Sequence, residues 1–262
     1  MLDTSALRPQ PCKQASSTSC GNCLNTPPAS PWTLSRTRRI LDLLIASIAL
    51  VFFAAPMTVL AICVRLTSEG GALFIQERMG RSGRLFRIYK FRSMVQRPAN
   101  EPGMGITRGG DHRVTAMGRF MRAFKLDELP QFYNILRGDM SLVGPRPKLP
   151  QHTALSNMPY RPGLTGWATV AFRREEELLR TIDPQKMLAF YMERLNPLKA
   201  QLDACYMCRA TFASDFRILL ATLLGCLIPS HAPAAIAPAL ASLNTSAYRI
   251  LDRPSEAGSA GG

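Results

Sequence analysis

Residues 40–64 are apolar almost without interruption, and Asp42 is the one charge among them. A helix of that length reaches across a bilayer of about 30 Å at about 1.5 Å per residue. Pro56 stands in its second half, where it removes a helix hydrogen bond and crowds the preceding turn. Both flanks are basic: Arg36, Arg38 and Arg39 come before, and Arg65 and an arginine-rich segment come after. Cytoplasmic flanks tend to carry Lys and Arg, which puts both ends on one, cytoplasmic, side. A straight span cannot satisfy that; a helix bent at Pro56 that re-enters one leaflet can. The other reading is a straight single-pass helix with a proline kink, and the residues themselves leave the two open.

The 262 residues are 47% hydrophobic and carry a formal net charge of +14. The length suits one or two domains with a sizeable core. The charge calls for an anionic partner: nucleic acid, an anionic membrane surface or a phosphorylated substrate. Nucleic-acid binding does not call for a bilayer-length apolar segment, so no nucleic-acid partner is expected. A non-catalytic membrane scaffold would explain the charge alone. Cys20-x-x-Cys23 and Cys205-x-x-Cys208 have the pair spacing of zinc sites, but they lie at opposite ends of the chain and the second falls in a helical pattern, so no structural metal is expected. Cys63, inside the apolar run, reads as a small hydrophobe. The first 35 residues have no apolar core of a secretory signal, and a reducing cytosolic setting for the soluble part is the default.

Residues 1–35, rich in Ser, Thr, Pro and Cys, read as a disordered tail; 36–66 as the membrane helix; 67–228 as the cytoplasmic domain; 229–262 as a low-complexity tail. Residues 72–77 and 85–91 are strand-like around the turn Gly80-Arg81-Ser82-Gly83, so 72–94 is a hairpin. Of its cations Arg78, Arg81, Arg84, Arg87, Lys90 and Arg92, most read as a solvated or lipid-facing surface. Lys90 and Arg92, interleaved with aromatics, are the candidates for an inward site. A Gly- and Pro-rich loop over 98–110 precedes an amphipathic helix over 111–125 with a basic face. Segments 173–180, 184–194 and 196–208 are helical. The run 217–228 is too short to span and reads as a packed core helix or an interfacial one.

Residues 125–147 hold the adjacent carboxylates Asp127 and Glu128 at the start of a helix, with Pro130 in its first turn and Gly138 at its end. Ser141–Val143 reads as a short buried strand, and Gly144-Pro145-Arg146-Pro147 as a stiff turn presenting one arginine. By pattern alone such carboxylates are capping groups and such a turn is a surface loop. The chemistry argues further. His112, His152 and His231 are scattered, with no Ser/His/Asp or Cys/His arrangement. A carboxylate is ionised at neutral pH and can be a nucleophile without a base. To approach a phosphate it needs cations around it, from arginine, lysine or magnesium. A base-free phosphoryl transfer at a membrane surface is therefore coherent.

Taken in order, the apolar segment with its proline, FIQERMGRSGRLFRIYKFRSM, DHRVTAMGRFMRAFKLDELPQFYNILRGDMSLVGPRP and YRPGLTG resemble the bacterial polyprenyl-phosphate phosphoglycosyltransferases, over residues 38–227. The resemblance implies an α+β, mainly helical, monotopic membrane protein of the bacterial inner membrane. It implies a helix re-entrant at Pro56 and a small β-hairpin in a cytoplasmic catalytic domain. It implies attack by Asp127 on the sugar-bearing phosphate of a UDP-sugar, release of UMP, and transfer of the sugar phosphate to polyprenyl phosphate, usually undecaprenyl phosphate. It also implies Glu128 as a ligand of Mg2+, Arg122 and Arg146 as phosphate-handling residues, Arg146 near the nucleotide, and Lys90 and Arg92 in the Lys-Phe-Arg motif. Membrane lipid is the expected surroundings, and a homodimer is among the assemblies the chain allows. Two departures stand out: Ala55 where relatives often have Ser before the proline, and WATVAFRREEELL where many have Gln and a Gly-Arg pair. The chain is expected to be a short form, close to the catalytic unit.

Overall fold

The apolar run forms two helices. In the computed structural model, α1 (Arg36–Phe52) and α2 (Ala54–Thr67) meet at Phe53 with a bend of 61°. The described residues are 29–68, 70–95, 110–152, 158–173, 175–180 and 182–227. The expectations for residues 1–28 with Cys20 and Cys23, for 98–109 and for the tail from 229 lie outside them. The bend falls three residues before Pro56, for a local reason. A proline nitrogen has no hydrogen for the carbonyl four residues back, and its ring crowds that carbonyl. Here the carbonyl belongs to Phe52, the last residue of α1. The Thr58 hydroxyl donates to the Ala54 carbonyl at 2.9 Å, a back-bond of the kind that bends helices, although Ala55 has no hydroxyl of its own. Among the described residues no single helix is long and apolar enough to cross a membrane; α1 and α2 qualify only as a bent pair.

Both arms of the bent pair end on the same body. At the start of α1, Arg38 Nε donates to Asp215 Oδ2 at 2.7 Å and Nη2 to the Val143 carbonyl at 2.6 Å. Arg39 donates to the carbonyls of Ile135 and Met140 at 2.7 and 3.2 Å. Asp42 accepts from the Leu142 N–H at 3.1 Å and the Ser141 hydroxyl at 2.5 Å. Two of the three arginines read as a membrane flank therefore turn inward, because the body offers them carbonyls and a carboxylate. At the end of α2, Leu60 and Val64 pack with Phe91, Met121 and Leu129.

The hairpin follows as expected. β1 (Leu73–Met79) and β2 (Leu85–Phe91) are antiparallel, in register from Leu73 opposite Phe91 to Met79 opposite Leu85. The amphipathic helix is shorter than its pattern: α3 covers Ala116–Ala123, capped by the Thr115 hydroxyl, which accepts from the Gly118 N–H at 2.9 Å. Its expected first turn is used otherwise, with the Arg113 N–H and guanidinium both bonded to Asp111. Next come a 3-10 turn (Leu126–Glu128), α4 (Gln131–Arg137) stopped by Gly138 at φ +91°, and β3 (Ser141–Val143). β3 lies parallel to β4 (Gly163–Thr165). They meet so closely that a Cβ on Gly163 would sit 2.1 Å from the Gly144 nitrogen. Helices α5 (Trp167–Ala171), α6 (Glu175–Arg180) and α7 (Pro184–Phe190), a π turn (Tyr191–Leu195), α8 (Asn196–Arg209) and α9 (Phe212–Leu227) complete a mainly helical α+β fold with two small sheets.

One core joins Ala46 of α1, Ile135 of α4, Leu142 of β3 and Ile218 of α9; another lies among α5 to α8. The N-terminal tail does not extend to residue 35 as a disordered segment. Ser30 N–H donates to the Met207 carbonyl at 2.9 Å, its hydroxyl to the Ala210 carbonyl at 2.8 Å, and Trp32 Nε1 to Asp215 at 2.9 Å. Its polar composition conceals partners about 180 residues away. α9 begins five residues before the expected run and buries only Asp215, Ile218 and Gly225 fully, leaving Phe216, Leu223 and Leu227 exposed.

The Arg38–Asp215 pair, with side chains 6% and 9% exposed, fixes α1 to α9. Arg38→Met is expected to cost about 3–5 kcal/mol by stranding a buried carboxylate. The thermal midpoint of the purified protein should fall, and adding Asp215→Asn should recover part of the loss.

Candidate active site

Lys125, at φ 58°, turns the chain sharply out of α3. Asp127 and Glu128 thus sit in a tight turn ahead of α4 and not within a helix, both buried. β2 carries Lys90 to them, α3 carries Arg122, and the turn after β3 carries Arg146. Arg146 grips Glu128 with both prongs, Nη1 to Oε2 at 3.3 Å and Nη2 to Oε1 more closely, and Lys90 Nζ adds a third bond at 3.3 Å. The lysine and arginine expected from the sequence therefore share one carboxylate.

The two carboxylates are driven apart. Burial pushes Glu128 up, but Arg146, Lys90 and Lys125 outweigh it and hold the carboxyl well below its usual range. Asp127 is raised, first by burial and then by the charge on Glu128, against the pull of Lys90, Lys125 and Arg122. Its Oδ1 is buried with no hydrogen-bond partner among the described residues. An orphaned buried oxygen costs about 1–3 kcal/mol. Glu128 is the neutralised charge and Asp127 the unquenched one. Burial also draws Lys90 down to about 8, against the opposing effect of Glu128.

Asp127, Glu128, Lys90, Arg92, Arg122 and Arg146 all line one cleft of about 1460 Å³. Pro56 is elsewhere, beside the bend. Arg122 reaches across to Glu176 of α6. The sequence reading missed Arg78, Lys148, Tyr191 and Lys199, which line the same cleft. Arg78 had a signal: with Gln76 it lies on the less exposed side of a strand whose Ile75 and Glu77 are exposed. Lys148 directly follows Pro147. Tyr191 and Lys199 come from the π turn and α8, with no local mark. Arg81, Arg84 and Arg87 are exposed, as read. The same cleft is also lined by the exposed apolar side chains of Phe120, Phe124, Leu220, Leu223 and Leu227.

A carboxylate dyad beside guanidinium and ammonium groups, in a cleft that also has apolar lining, can hold anionic phosphate groups next to apolar surface. Residues 33–228 match the family described as bacterial sugar transferase, and the chain belongs to that family. It is 43% identical over 144 residues to the UDP-N-acetylgalactosamine-undecaprenyl-phosphate N-acetylgalactosaminephosphotransferase of Aeromonas hydrophila, covering 51% of this chain and 33% of that protein. It is 42% identical over 144 residues to the UDP-glucose:undecaprenyl-phosphate glucose-1-phosphate transferase of Caulobacter vibrioides, covering 51% and 53%. It is 36% identical over 193 residues to the Xanthomonas campestris protein of the same description, covering 69% and 37%. The matches thus span about a third to a half of these curated relatives.

The split within the dyad has opposite signatures on its two sides. Asp127→Asn removes an uncompensated charge and should leave the protein as stable or more stable, by about 1 kcal/mol. Glu128→Gln strands Arg146 and Lys90 and should cost about 3–5 kcal/mol. Thermal unfolding of the two variants checks this; shifts of one sign in both would contradict the division.

Proposed function

We propose that the protein transfers a sugar 1-phosphate from a UDP-sugar to polyprenyl phosphate, on the cytoplasmic face of a bacterial inner membrane. The observation that carries this is the Asp127 carboxylate, whose Oδ1 has no hydrogen-bond partner among the described residues, beside a cation-neutralised Glu128. In the first step an Asp127 oxygen attacks the phosphorus bearing the sugar. The bond from that phosphorus to the bridging oxygen breaks, and its electron pair leaves with UMP. In the second step a phosphate oxygen of the polyprenyl phosphate attacks the same phosphorus, and the Asp127 carboxylate departs. Neither step needs a neutral base, because both nucleophiles are anions. The relatives' descriptions name undecaprenyl phosphate and UDP-sugars, and the apolar lining of the same cleft suits an isoprenoid chain.

Arg146 and Lys90 hold Glu128 in place and screen the incoming phosphates from it. Arg122 is free to reach a substrate phosphate once that phosphate displaces Glu176. Arg92, on the same cleft, adds positive potential. The donor set also suits Mg2+: Asp127 Oδ1 has no hydrogen-bond partner among the described residues, and Glu128 Oε2 accepts a single described bond, leaving a lone pair. Among the described residues no three His, Cys, Asp or Glu side chains converge, so substrate phosphates and water would complete the shell. The ion would supply charge neutralisation for the attack on a dianion.

The bent pair is the membrane anchor in this proposal, entering and leaving by the same leaflet. Both its ends are tied to one body, and around the bend Ile48, Val51, Phe52, Val59 and Ile62 are 54–80% exposed. Such an apolar tip is expensive in water and suited to lipid.

The test is UMP release by the full chain from a panel of UDP-sugars with polyprenyl phosphate and magnesium. Asp127→Ala should abolish release; full activity in it would overturn the proposal. Lys90 is charged below its pKa of about 8, so release should decline as pH rises through that value. Release should also decline on acidification at a pH above the ordinary aspartate range of about 3.9, as Asp127 gains its proton. Lys90→Arg should move the alkaline limb upward.

A further inference from the structure

The cations of the cleft are not all paired alike. Lys90 and Arg146 share Glu128, Arg122 takes Glu176, and Lys199 takes Glu175. Arg78 and Lys148 have only neutral acceptors among the described residues. Arg78 bonds to the side-chain oxygen of Gln76 at 2.5 Å and, weakly, to the Pro147 carbonyl at 3.4 Å; its Nε is buried with no acceptor. Lys148 donates to the Tyr191 hydroxyl at 3.1 Å and lies 5.6 Å from the centre of that ring. The two are neighbours by construction, because the Met79 N–H donates to the Lys148 carbonyl at 3.0 Å and ties the end of β1 to the turn that holds Arg146. Both line the cleft that holds Asp127.

The half-buried Arg78 and Lys148 repel each other and Arg146, and the carboxylates Glu128, Glu175 and Asp203 act on them without a direct ion pair. Burial and the charge on Arg146 draw Arg78 down to about 10, and burial lowers Lys148 as well. With no direct counterion among the described residues, the pair gains from a phosphate bound between them. A phosphate offers a guanidinium two oxygens at once and an ammonium a concentrated charge.

We infer that Arg78 and Lys148 form a phosphate subsite beside Arg146, which holds the phosphate that leaves with the nucleotide. This rests on the nucleotide-sugar reading above. Asp127 takes the phosphate that stays with the sugar. The adjoining phosphate receives the electron pair of the broken bridging bond, so its charge grows as the reaction proceeds, and cations placed there favour departure. The other source of the same chemistry is the phosphate of the lipid acceptor.

The experiment uses the full chain in detergent, with Arg78→Gln, Lys148→Gln and Lys148→Arg. Calorimetry with UMP and with uridine reads the subsite directly, and KM for UDP-sugar and for polyprenyl phosphate separates the two sources. Each glutamine variant should bind UMP about tenfold more weakly, the loss expected for one charged hydrogen bond. Uridine binding should not change, and Lys148→Arg should keep most of the UMP affinity. KM for the UDP-sugar should rise and that for the acceptor should stay. Unchanged UMP affinity, an equal loss for uridine, or a rise in acceptor KM alone would overturn the inference. Native protein showing the expected binding pattern but releasing no UMP from any UDP-sugar would sustain the subsite and count against the proposed transfer.

Discussion

Glu128 sits ionised between Arg146 and Lys90, and the chemistry of the cleft follows from that contact. Two adjacent buried carboxylates cannot both be charged cheaply. The protein answers by giving one of them three donors and the other none on its buried oxygen. Glu128 then holds two cations at fixed positions, and Asp127 keeps a buried oxygen, Oδ1, with no hydrogen-bond partner among the described residues, in a cleft lined by cations. The energy lost at Asp127 is offset by the cores on either side, which join α1, α4, β3 and α9, and α5 to α8.

The same economy explains how the bent helix pair serves the site. Arg38, Arg39 and Asp42 bind the start of α1 to carbonyls and side chains of α4, β3 and α9, within a few residues of the strand that leads to Arg146. The end of α2 packs against Phe91 and Leu129, which adjoin Lys90 and Glu128 in sequence. Dyad and apolar bend are therefore tied to the same packed elements, and Phe53 at the bend lines the cleft that holds Asp127.

What could be read from the sequence was what is local. The hairpin, the dyad, the glycine that stops α4 and the arginine held between two prolines each depend on neighbours a few residues away. The bend also has a local cause, but it appears at Phe53, where the missing proline hydrogen is felt, and not at Pro56. Arg38 and Ser30 were misread because their partners lie about 180 residues on, and composition cannot show a carbonyl waiting at the end of α8. Arg78 was absorbed into a run of surface arginines because only strand alternation distinguishes it. The link from Arg122 to Glu176 falls in the stretch WATVAFRREEELL, where the family resemblance gave no motif to read.

The most direct measurement is peptide mapping by mass spectrometry after the protein meets a UDP-sugar with no polyprenyl phosphate present. The expected result is a sugar-phosphate adduct on the peptide containing Asp127, carried by that side chain, with stoichiometric release of UMP. An adduct on Glu128, or UMP appearing only once the lipid acceptor is added and no adduct on any residue, would contradict an aspartate nucleophile.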